Sequence, residues 1–358
     1  MIHLNTLVGG RNIAILKPML EHYRGLGVES FIINVHLADY NDPILDEVRL
    51  ITNAFGTPIT SVLVGPWLEV LRKVYRESRE RHPSDWHILA DQDEFQIYPM
   101  ELAELELFCN KKGYDYVRGC WVDRLAADGG FHKVHSMLSV WDQFPFGAFL
   151  SYPVGAADPR KVVFARSNVD VCVGQHLAYN GRCCPITDVL VQVHHFKWVG
   201  GIVAELQARA ELLKQAGYDF HIESLRFVKY FNNNGGVVNL KDPNILAAIC
   251  RYDYQHWPLI QKWLIMLNNY VNIGRQFTPG PASLLNHRND IECSANTLLS
   301  TIHSAGHKSI WQIAIEQLVA NLSSRIRSDR EPTDQHHNQG EPFFGLEAIR
   351  PIWLNSRQ

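Results

Sequence analysis

The chain has 358 residues, and its 34 Lys and Arg nearly balance 37 Asp and Glu, which gives a formal net charge of −3. This length allows one large domain or two small ones with a proper hydrophobic core. The balanced charge and the lack of a Lys/Arg run argue against a nucleic-acid partner or a basic membrane surface. No apolar run of the sequence approaches the roughly 18 residues of a membrane span.

The beginning of the chain and its cysteines predict a cytoplasmic protein. Met1-Ile2-His3 leads into apolar residues without the basic start or the cleavage site of a signal peptide. The seven cysteines are scattered and form no C-x-x-C pair, which argues against a structural zinc site of the usual spacing. Such an odd, unpatterned set is typical of reduced thiols.

The first part of the chain alternates strands and helices. A helix begins at Ile13, where apolar residues recur at helical spacing, and ends at Gly25 and Gly27. A second amphipathic helix is predicted at 70–82. Short apolar runs predict strands at Ile2–Val8, 30–35, 59–64 and 86–90.

The rest of the chain is predicted to complete the sheet and then to become helical. Strands and long loops are expected at 114–193, followed by a helix at 201–216 that Gly217 ends. The polar stretch 328–342 carries two prolines and is typical of a flexible linker. We predict a main domain at 1–240, a helical C-terminal extension at 241–327, and a linker and tail at 328–358.

This order of elements predicts an α/β fold, with a mostly parallel sheet and helices on both faces. In such sheets, ligands bind beyond the carboxyl ends of the strands. Two segments follow predicted strands directly, namely the loop Gly9-Gly10-Arg11-Asn12 (the 9–12 loop) and Asp91. We expect the functional site at these two segments.

Two carboxylates separated by one residue follow the apolar strand at 86–90. Side chains at i and i+2 of an extended chain point to the same side, so Asp91 and Asp93 can both face one divalent cation. Oxygen ligands suit Mg²⁺ or Mn²⁺, which in turn hold phosphate oxygens. A solvated turn is the alternative, but the apolar strand before Asp91 and Glu94-Phe95 after it favour a metal site.

Two adjacent histidines, His194 and His195, follow an apolar strand at 188–193. A neutral imidazole is a good ligand for Mn²⁺ and similar ions. Because adjacent residues of a strand face opposite sides, at most one of the two is a metal ligand. The alternative is a core histidine that bonds to a backbone carbonyl.

The 9–12 loop lies between the first strand and the first helix. Its backbone N–H groups could meet a phosphate or a ribose at the helix N-terminus. The loop lacks both the Lys-Ser/Thr of a Walker motif and the third glycine of the Rossmann fingerprint. The segment alone therefore predicts only a tight turn.

The segment after the predicted metal strand combines an aromatic, an arginine and two carboxylates beside a glycine pair. These residues are Trp121, Asp123, Arg124 and Asp128. Such a mixture suits sugar hydroxyls, through stacking on an aromatic face and bidentate polar bonds. A structural salt bridge between Asp123 and Arg124 is the alternative.

Four blocks of the sequence occur in a characteristic order over roughly residues 4–217. They are TLVGGRNIAILKPMLEHYRGLGVESFIINV, DWHILADQDEF, KVVFARSNVDVCVGQH and VQVHHFKW. In these blocks the chain resembles the family 2-like glycosyltransferases with a GT-A fold. The resemblance points to the branch whose metal motif reads D-x-D-E-F and whose later strand carries His-Tyr before a helix.

The resemblance implies a metal set and a cofactor. Asp91 and Asp93 stand at the metal and diphosphate motif, and His195 stands at the histidine of His-Tyr, which implies a third metal or diphosphate ligand. The cofactor implied is Mn²⁺ or Mg²⁺. The chain departs from the family where Phe196 replaces the Tyr and where Ile13 replaces the usual Glu.

We predict that the chain transfers a sugar from a nucleotide diphosphate donor to a carbohydrate or other hydroxyl acceptor. Asp123 or Asp128 would take the acceptor proton, and Trp121 and Arg124 would bind the acceptor. The alternatives are a sugar nucleotidyltransferase and a non-catalytic carbohydrate-binding protein on the same fold. The residues predicted to bind the donor are Gly9, Arg11, Asn12, Asp91 and Gln92.

Overall fold

A computed structural model of the chain describes residues 1–249, apart from positions 11, 38, 66, 187, 219–220, 243–244 and 246–247. Apart from a few positions up to residue 249, the predicted helical extension at 241–327 and the tail at 328–358 lie outside the described residues. The chain forms two compact units. The first comprises Met1–Val122, His132–Phe144 and Arg160–Gly200, and the second comprises Asp123–Phe131, Pro145–Pro159 and the described residues from Gly201.

Parallel strands form the first half of the sheet in the first unit. They are β1 (Ile2–Val8), β2 (Ser30–Leu37), β3 (Ser61–Val64) and β4 (Trp86–Leu89). Their order is β3-β2-β1-β4, and every neighbouring pair is parallel. The carboxyl ends of all four strands therefore meet at one edge of the sheet, where the 9–12 loop and Asp91 lie.

Three helices connect these strands: α1 (Leu16–Gly25), α2 (Ile44–Phe55) and α3 (Trp67–Glu80). α1 packs against α2, whereas α3 packs against β1 and β2. Because parallel crossovers are right-handed, α1 and α2 lie on one face and α3, which returns from β3 to β4, lies on the other. The prediction of helices on both faces is thereby confirmed.

α2 was missing from the predicted elements, which placed two strands in succession. Pro43 precedes this helix, and Gly56, in the left-handed conformation at φ 78°, ends it. Its β-branched residues, such as Val48 and Thr52, are as common in strands as in helices, and this hides the helical period in a short segment.

The remaining elements alternate short helices with antiparallel strands. They are β5 (Glu94–Ile97), α4 (Leu102–Lys112), β6 (Tyr116–Leu125), α5 (Val140–Gln143), β7 (Phe146–Ala148), α6 (Ser151–Gly155), β8 (Arg160–Arg166), β9 (Val191–His195), α7 (Ile202–Gln215), α8 (His221–Asn233) and β10 (Ala248–Ile249).

In the first unit, antiparallel strands extend the sheet. β8 pairs with β4 and with β6, and β9 pairs with β5 and β6. The predicted α/β fold, a sheet flanked by helices, is confirmed for the described residues. The parallel pairing expected for it is found in the first four strands.

In the second unit, the last residues of β6 pair with β7, which pairs with β10. α7 packs against α8, and α8 packs against α6. A Cβ added at Gly155 would lie 2.4 Å from the Phe227 ring, so the glycine permits this close approach. Within the part of the chain that the structure describes, no helix is long and apolar enough to cross a membrane.

Gly119 lets neighbouring strands approach β6 in the first unit. A Cβ at this position would lie 2.7 Å from Val193 Cγ2 and 2.8 Å from both Val163 Cγ1 and the Val191 carbonyl oxygen. One contact is a backbone atom, and the other two belong to buried, branched side chains with one preferred rotamer. No neighbour can move aside freely.

We therefore expect Gly119→Ala to lower the free energy of unfolding by about 1–3 kcal/mol through overpacking. Gly25→Ala is the matched control, because no atom lies within 4 Å of a Cβ built there. At such a compatible helical site, Ala stabilises by about 0.4–1 kcal/mol. Urea denaturation followed by circular dichroism measures both, and equal stabilities of the two variants would contradict the close approach.

Candidate active site

A buried lysine lies at the centre of the residues that follow β4. Lys161, on β8, is fully buried, and its Nζ lies 3.2 Å from Asp91 Oδ2 and 2.9 Å from Glu94 Oε1. The same ammonium donates to the Gly174 carbonyl at 2.9 Å. One cation thus faces two carboxylates, of which Glu94 is fully buried and Asp91 is partly exposed.

The charges of this cluster depend on one another. Burial alone lowers the pKa of Lys161, but Asp91 and Glu94 outweigh it and raise that pKa above its ordinary value. Burial also opposes ionisation of Asp91, yet the Lys161 ammonium and the Tyr75 hydroxyl hold the pKa of Asp91 below its usual range. Burial raises the pKa of Glu94, which faces Asp91 as well as Lys161.

Asp91 is held by two further side chains. The Tyr75 hydroxyl donates to its Oδ1 at 3.0 Å, and Gln175 Nε2 lies 3.4 Å from the same oxygen. α3 positions Tyr75 by packing its apolar face on buried residues of the sheet, such as Leu7 and Leu89. Gln175 is buried and has a φ of 60°, a strained conformation of the kind found at functional sites.

Trp121 connects Glu94 to His195. The Trp121 indole N–H donates to Glu94 Oε1 at 2.7 Å. One face of the indole stacks on the His195 imidazole, with ring centroids 4.5 Å apart and an angle of 10°. Lys161 Nζ also lies 5.4 Å from the centre of the indole. The ring plane of His195 is therefore fixed by a neighbour that is itself hydrogen-bonded.

Asp93 and His195 face one another. His195 Nε2 lies 3.7 Å from Asp93 Oδ2, and Glu94 pairs with His195 across β5 and β9. His194 is directed elsewhere, since its Nε2 bonds to Gln192 and its ring meets Trp141. The two histidines thus differ in their neighbours as strand alternation requires.

The pair of Asp93 and His195 fits a divalent cation. A carboxylate oxygen and an imidazole nitrogen 3.7 Å apart can both reach one ion, since such bonds are about 2.0–2.2 Å long. The ligand atoms of Asp91, Asp93 and His195 do not all lie within 4.8 Å of one another. Asp91 is paired with Lys161 instead. The structure thus brings two of the three predicted ligands face to face.

The 9–12 loop is tied to the segment that contains Asp91 and Asp93. The Gly9 N–H donates to Gln92 Oε1 at 3.1 Å, and Gln92 Nε2 donates to the Gly9 carbonyl at 2.8 Å. Gly9 and Gln92, both predicted to bind the donor, are therefore hydrogen-bonded to each other. Asn12 begins the helical turn before α1, and Arg11 lies outside the described residues.

The second unit contains the remaining predicted residues. Asp123 is buried, and its carboxylate accepts hydrogen bonds from the backbone N–H groups of Leu150 and Ser151 and from the Ser151 hydroxyl, at 2.7–2.9 Å. Arg124 is buried opposite Gly147 of β7. Asp128 is exposed and accepts the Gly130 N–H at 2.9 Å. Their roles on the acceptor side stay predictions.

Sequence reasoning missed the residues that hold Asp91. A lysine within the apolar strand RKVVFAR was a usable signal, because a buried lysine nearly always has a carboxylate partner. Tyr75 gave no signal of its own, since it fits the apolar face of α3. Gln175 belongs to the block KVVFARSNVDVCVGQH, for which the sequence offered no chemical role.

Comparison with known proteins gives only distant similarities. No family model and no curated protein matches the chain. Among solved structures, it is similar to a Bacillus anthracis protein described as a glucose-1-phosphate thymidylyltransferase, at 13% identity and a TM-score of 0.23, over 39% of this chain and 63% of that one. It is also similar to S. aureus TarS.

For residues 1–349 of TarS, the identity is 12% and the TM-score 0.30, over 96% of this chain and 99% of that one. For a longer TarS structure, the identity is 10% and the TM-score 0.30, over 96% and 60%. The chain thus spans less than two thirds of the thymidylyltransferase and of the longer TarS. The fold described above rests on the strand order of the chain itself.

We expect Lys161→Met to lower the free energy of unfolding by about 3–5 kcal/mol, because it leaves the fully buried Glu94 without a cation, beside the partly exposed Asp91. Glu94→Gln in the same background should restore part of that loss. Lys17→Met is the control, since Lys17 is 60% exposed and pairs with Glu21 at the surface. There the change should stay within about 1 kcal/mol. Equal losses at Lys161 and Lys17 in urea denaturation would refute the central role of Lys161.

Proposed function

We propose that the chain is a cation-dependent glycosyltransferase that moves a sugar from a nucleoside diphosphate donor to a hydroxyl acceptor. The observation that carries the proposal is the pair of Asp93 and His195, which face one another at 3.7 Å just after β4. This is the edge at which α/β sheets bind ligands. The resemblance of the four sequence blocks supplies the reaction class.

Asp93 and His195 would hold the cation. A set of one carboxylate and one imidazole suits Mn²⁺ better than Mg²⁺, because Mg²⁺ strongly prefers oxygen ligands. When bound there, the ion would offset the charge that builds on the leaving diphosphate. Trp121 keeps the His195 ring in place, so we propose that it positions this metal ligand. This role is additional to the acceptor contact that the sequence predicts for Trp121.

Asp91 acts differently in this proposal. Its carboxylate is engaged by Lys161, Tyr75 and Gln175, so it fixes the geometry of the following residues. The paired hydrogen bonds of Gln92 and Gly9 hold the 9–12 loop beside that segment. Backbone N–H groups of this loop would then meet the donor at the beginning of α1.

We expect Asp93→Asn to remove most of the Mn²⁺-dependent release of nucleoside diphosphate from a sugar nucleotide. The melting temperature should not change, because the Asn amide has the same shape as the Asp93 carboxylate and this side chain is 23% exposed. Asp46→Asn, at an exposed carboxylate of α2, is the matched control and should turn over normally. Undiminished release by Asp93→Asn in the presence of a chelator would refute the cation site.

The same assay separates the proposed reaction from its alternatives. A glycosyltransferase releases nucleoside diphosphate slowly from the sugar nucleotide even without acceptor. A nucleotidyltransferase instead requires a nucleoside triphosphate or pyrophosphate, and a non-catalytic binding protein turns over neither. A panel of sugar nucleotides tested by thermal shift then identifies the donor, because a ligand that binds the native state raises the melting temperature.

Asp123 and Asp128 should respond differently to substitution. Asp123→Asn replaces an acceptor of three hydrogen bonds by an amide, which should lower the free energy of unfolding by about 1–3 kcal/mol. Asp128→Asn keeps the oxygen that accepts the Gly130 N–H, so stability should hold. If Asp128 is the general base, transfer should fall by about 10²–10⁴ while nucleotide affinity stays within a few-fold.

Melting temperature, nucleotide affinity and transfer rate of both variants measure this contrast. Normal transfer by a stable Asp128→Asn protein would remove Asp128 from the reaction.

A further inference from the structure

Three ligating side chains meet at the amino ends of β1 and β4, in the first unit. His3 lies near the beginning of β1, and His82 and Asp85 lie in the turn between α3 and β4. Asp85 precedes β4 and Asp91 follows it, so the extended strand separates the two carboxylates by about 20 Å. This cluster is therefore distinct from the site around Asp93.

The spacing of the three ligand atoms suits a small divalent cation. Asp85 Oδ2 lies 2.9 Å from His3 Nε2 and 4.0 Å from His82 Nδ1. All three atoms lie within 4.8 Å of one another. In a tetrahedral zinc site with bonds of 2.0–2.1 Å, ligand atoms are about 3.4 Å apart. The distances of 2.9 Å and 4.0 Å lie on either side of this value, so small side-chain movements would bring the three ligand atoms to tetrahedral spacing.

Hydrogen bonds already orient the side chains of this cluster. His3 is buried, and its Nδ1 lies 2.7 Å from the Ser30 hydroxyl, which directs Nε2 towards Asp85. A hydrogen bond on the second ring nitrogen is what metal-binding histidines almost always have. The Asp85 N–H donates to the His82 carbonyl at 3.2 Å, which closes the turn and keeps both side chains on one side.

The ligand types of the cluster suit a cation. The His3 ring stacks on His82, at 4.2 Å, and on His87, at 5.1 Å, and protonated rings in such contacts would repel one another. The Met1 amino group lies 3.0 Å from Asp85 Oδ1, whereas Oδ2 faces the two imidazoles. Two imidazoles beside a carboxylate suit Zn²⁺ better than Mg²⁺.

We propose that His3, His82 and Asp85 form a zinc site, separate from the proposed glycosyltransferase site. Zn²⁺ takes the place of the proton between His3 Nε2 and Asp85 Oδ2, and His82 supplies the third ligand. The neutral His3 ring then carries its proton on Nδ1, which donates to the Ser30 hydroxyl oxygen. The His82 side chain is 41% exposed, so the ion enters from solvent and water completes the coordination. The ion ties the beginning of β1 to the turn before β4, so it acts on stability.

The test is equilibrium dialysis of the full chain against Zn²⁺, with the bound metal measured by atomic emission. His82→Ala and Asp85→Asn should each retain one equivalent fewer than the unmodified protein. His135→Ala removes an exposed histidine outside the cluster and should retain the full amount. Zn²⁺ should also raise the melting temperature of the unmodified protein and of His135→Ala, but raise that of His82→Ala much less.

His82→Ala decides the question even if Asp85→Asn does not fold, because His82 lies in a surface turn with its side chain 41% exposed. Circular dichroism checks that this variant keeps its fold. Equal zinc content in His82→Ala and the unmodified protein would overturn the proposal. A loss as large in His135→Ala as in His82→Ala would also overturn it, because the ion would then bind to surface histidines in general.

Discussion

The site depends on one buried ammonium group. Lys161 lies between Asp91 and Glu94, and without it the fully buried Glu94 carboxylate would have no positive charge beside it. From Lys161 a series of contacts leads through Glu94 and Trp121 to His195, which faces Asp93. The positions of the proposed cation ligands thus follow from an ion pair in the core of the first unit.

This arrangement explains why the two aspartates of the D-x-D motif differ. Asp91 is held by Lys161 and Tyr75, whereas Asp93 faces His195. A pre-positioned ligand loses little conformational freedom when it binds an ion or a charged substrate, which is how rigid sites gain efficiency. The strained backbone of Gln175 belongs to the same structure, because its side chain and carbonyl contact Asp91 and β8.

Much of the fold could be predicted from the sequence where a local signal was strong. β1, β4 and α7 agree with the predictions to within a residue or two, because apolar runs and glycine stops mark them. α2 was missed because its β-branched residues conceal the helical period. Asp93 and His195, which the structure brings face to face, were proposed from the sequence because each belongs to a short motif next to an apolar run.

The residues that organise the site could not be predicted with the same means. Tyr75, on α3, precedes Asp91, whereas Lys161 and Gln175 lie far beyond it in one segment, and they meet Asp91 only when β8 pairs with β4 and α3 packs on the sheet. Trp121 was expected to offer a flat face to a sugar, and its stacking on His195 could not be read from the sequence. Local patterns indicate which residues can do chemistry, whereas their partners are set by tertiary packing.

The most direct measurement is a crystal structure with Mn²⁺ and a nucleoside diphosphate, with the ion located by its anomalous scattering. The account predicts Mn²⁺ bound directly by Asp93 and His195, with Lys161 still in contact with Asp91 and Glu94. An ion bound by Asp91 in place of Lys161, or a nucleotide held without any ion near Asp93, would contradict it.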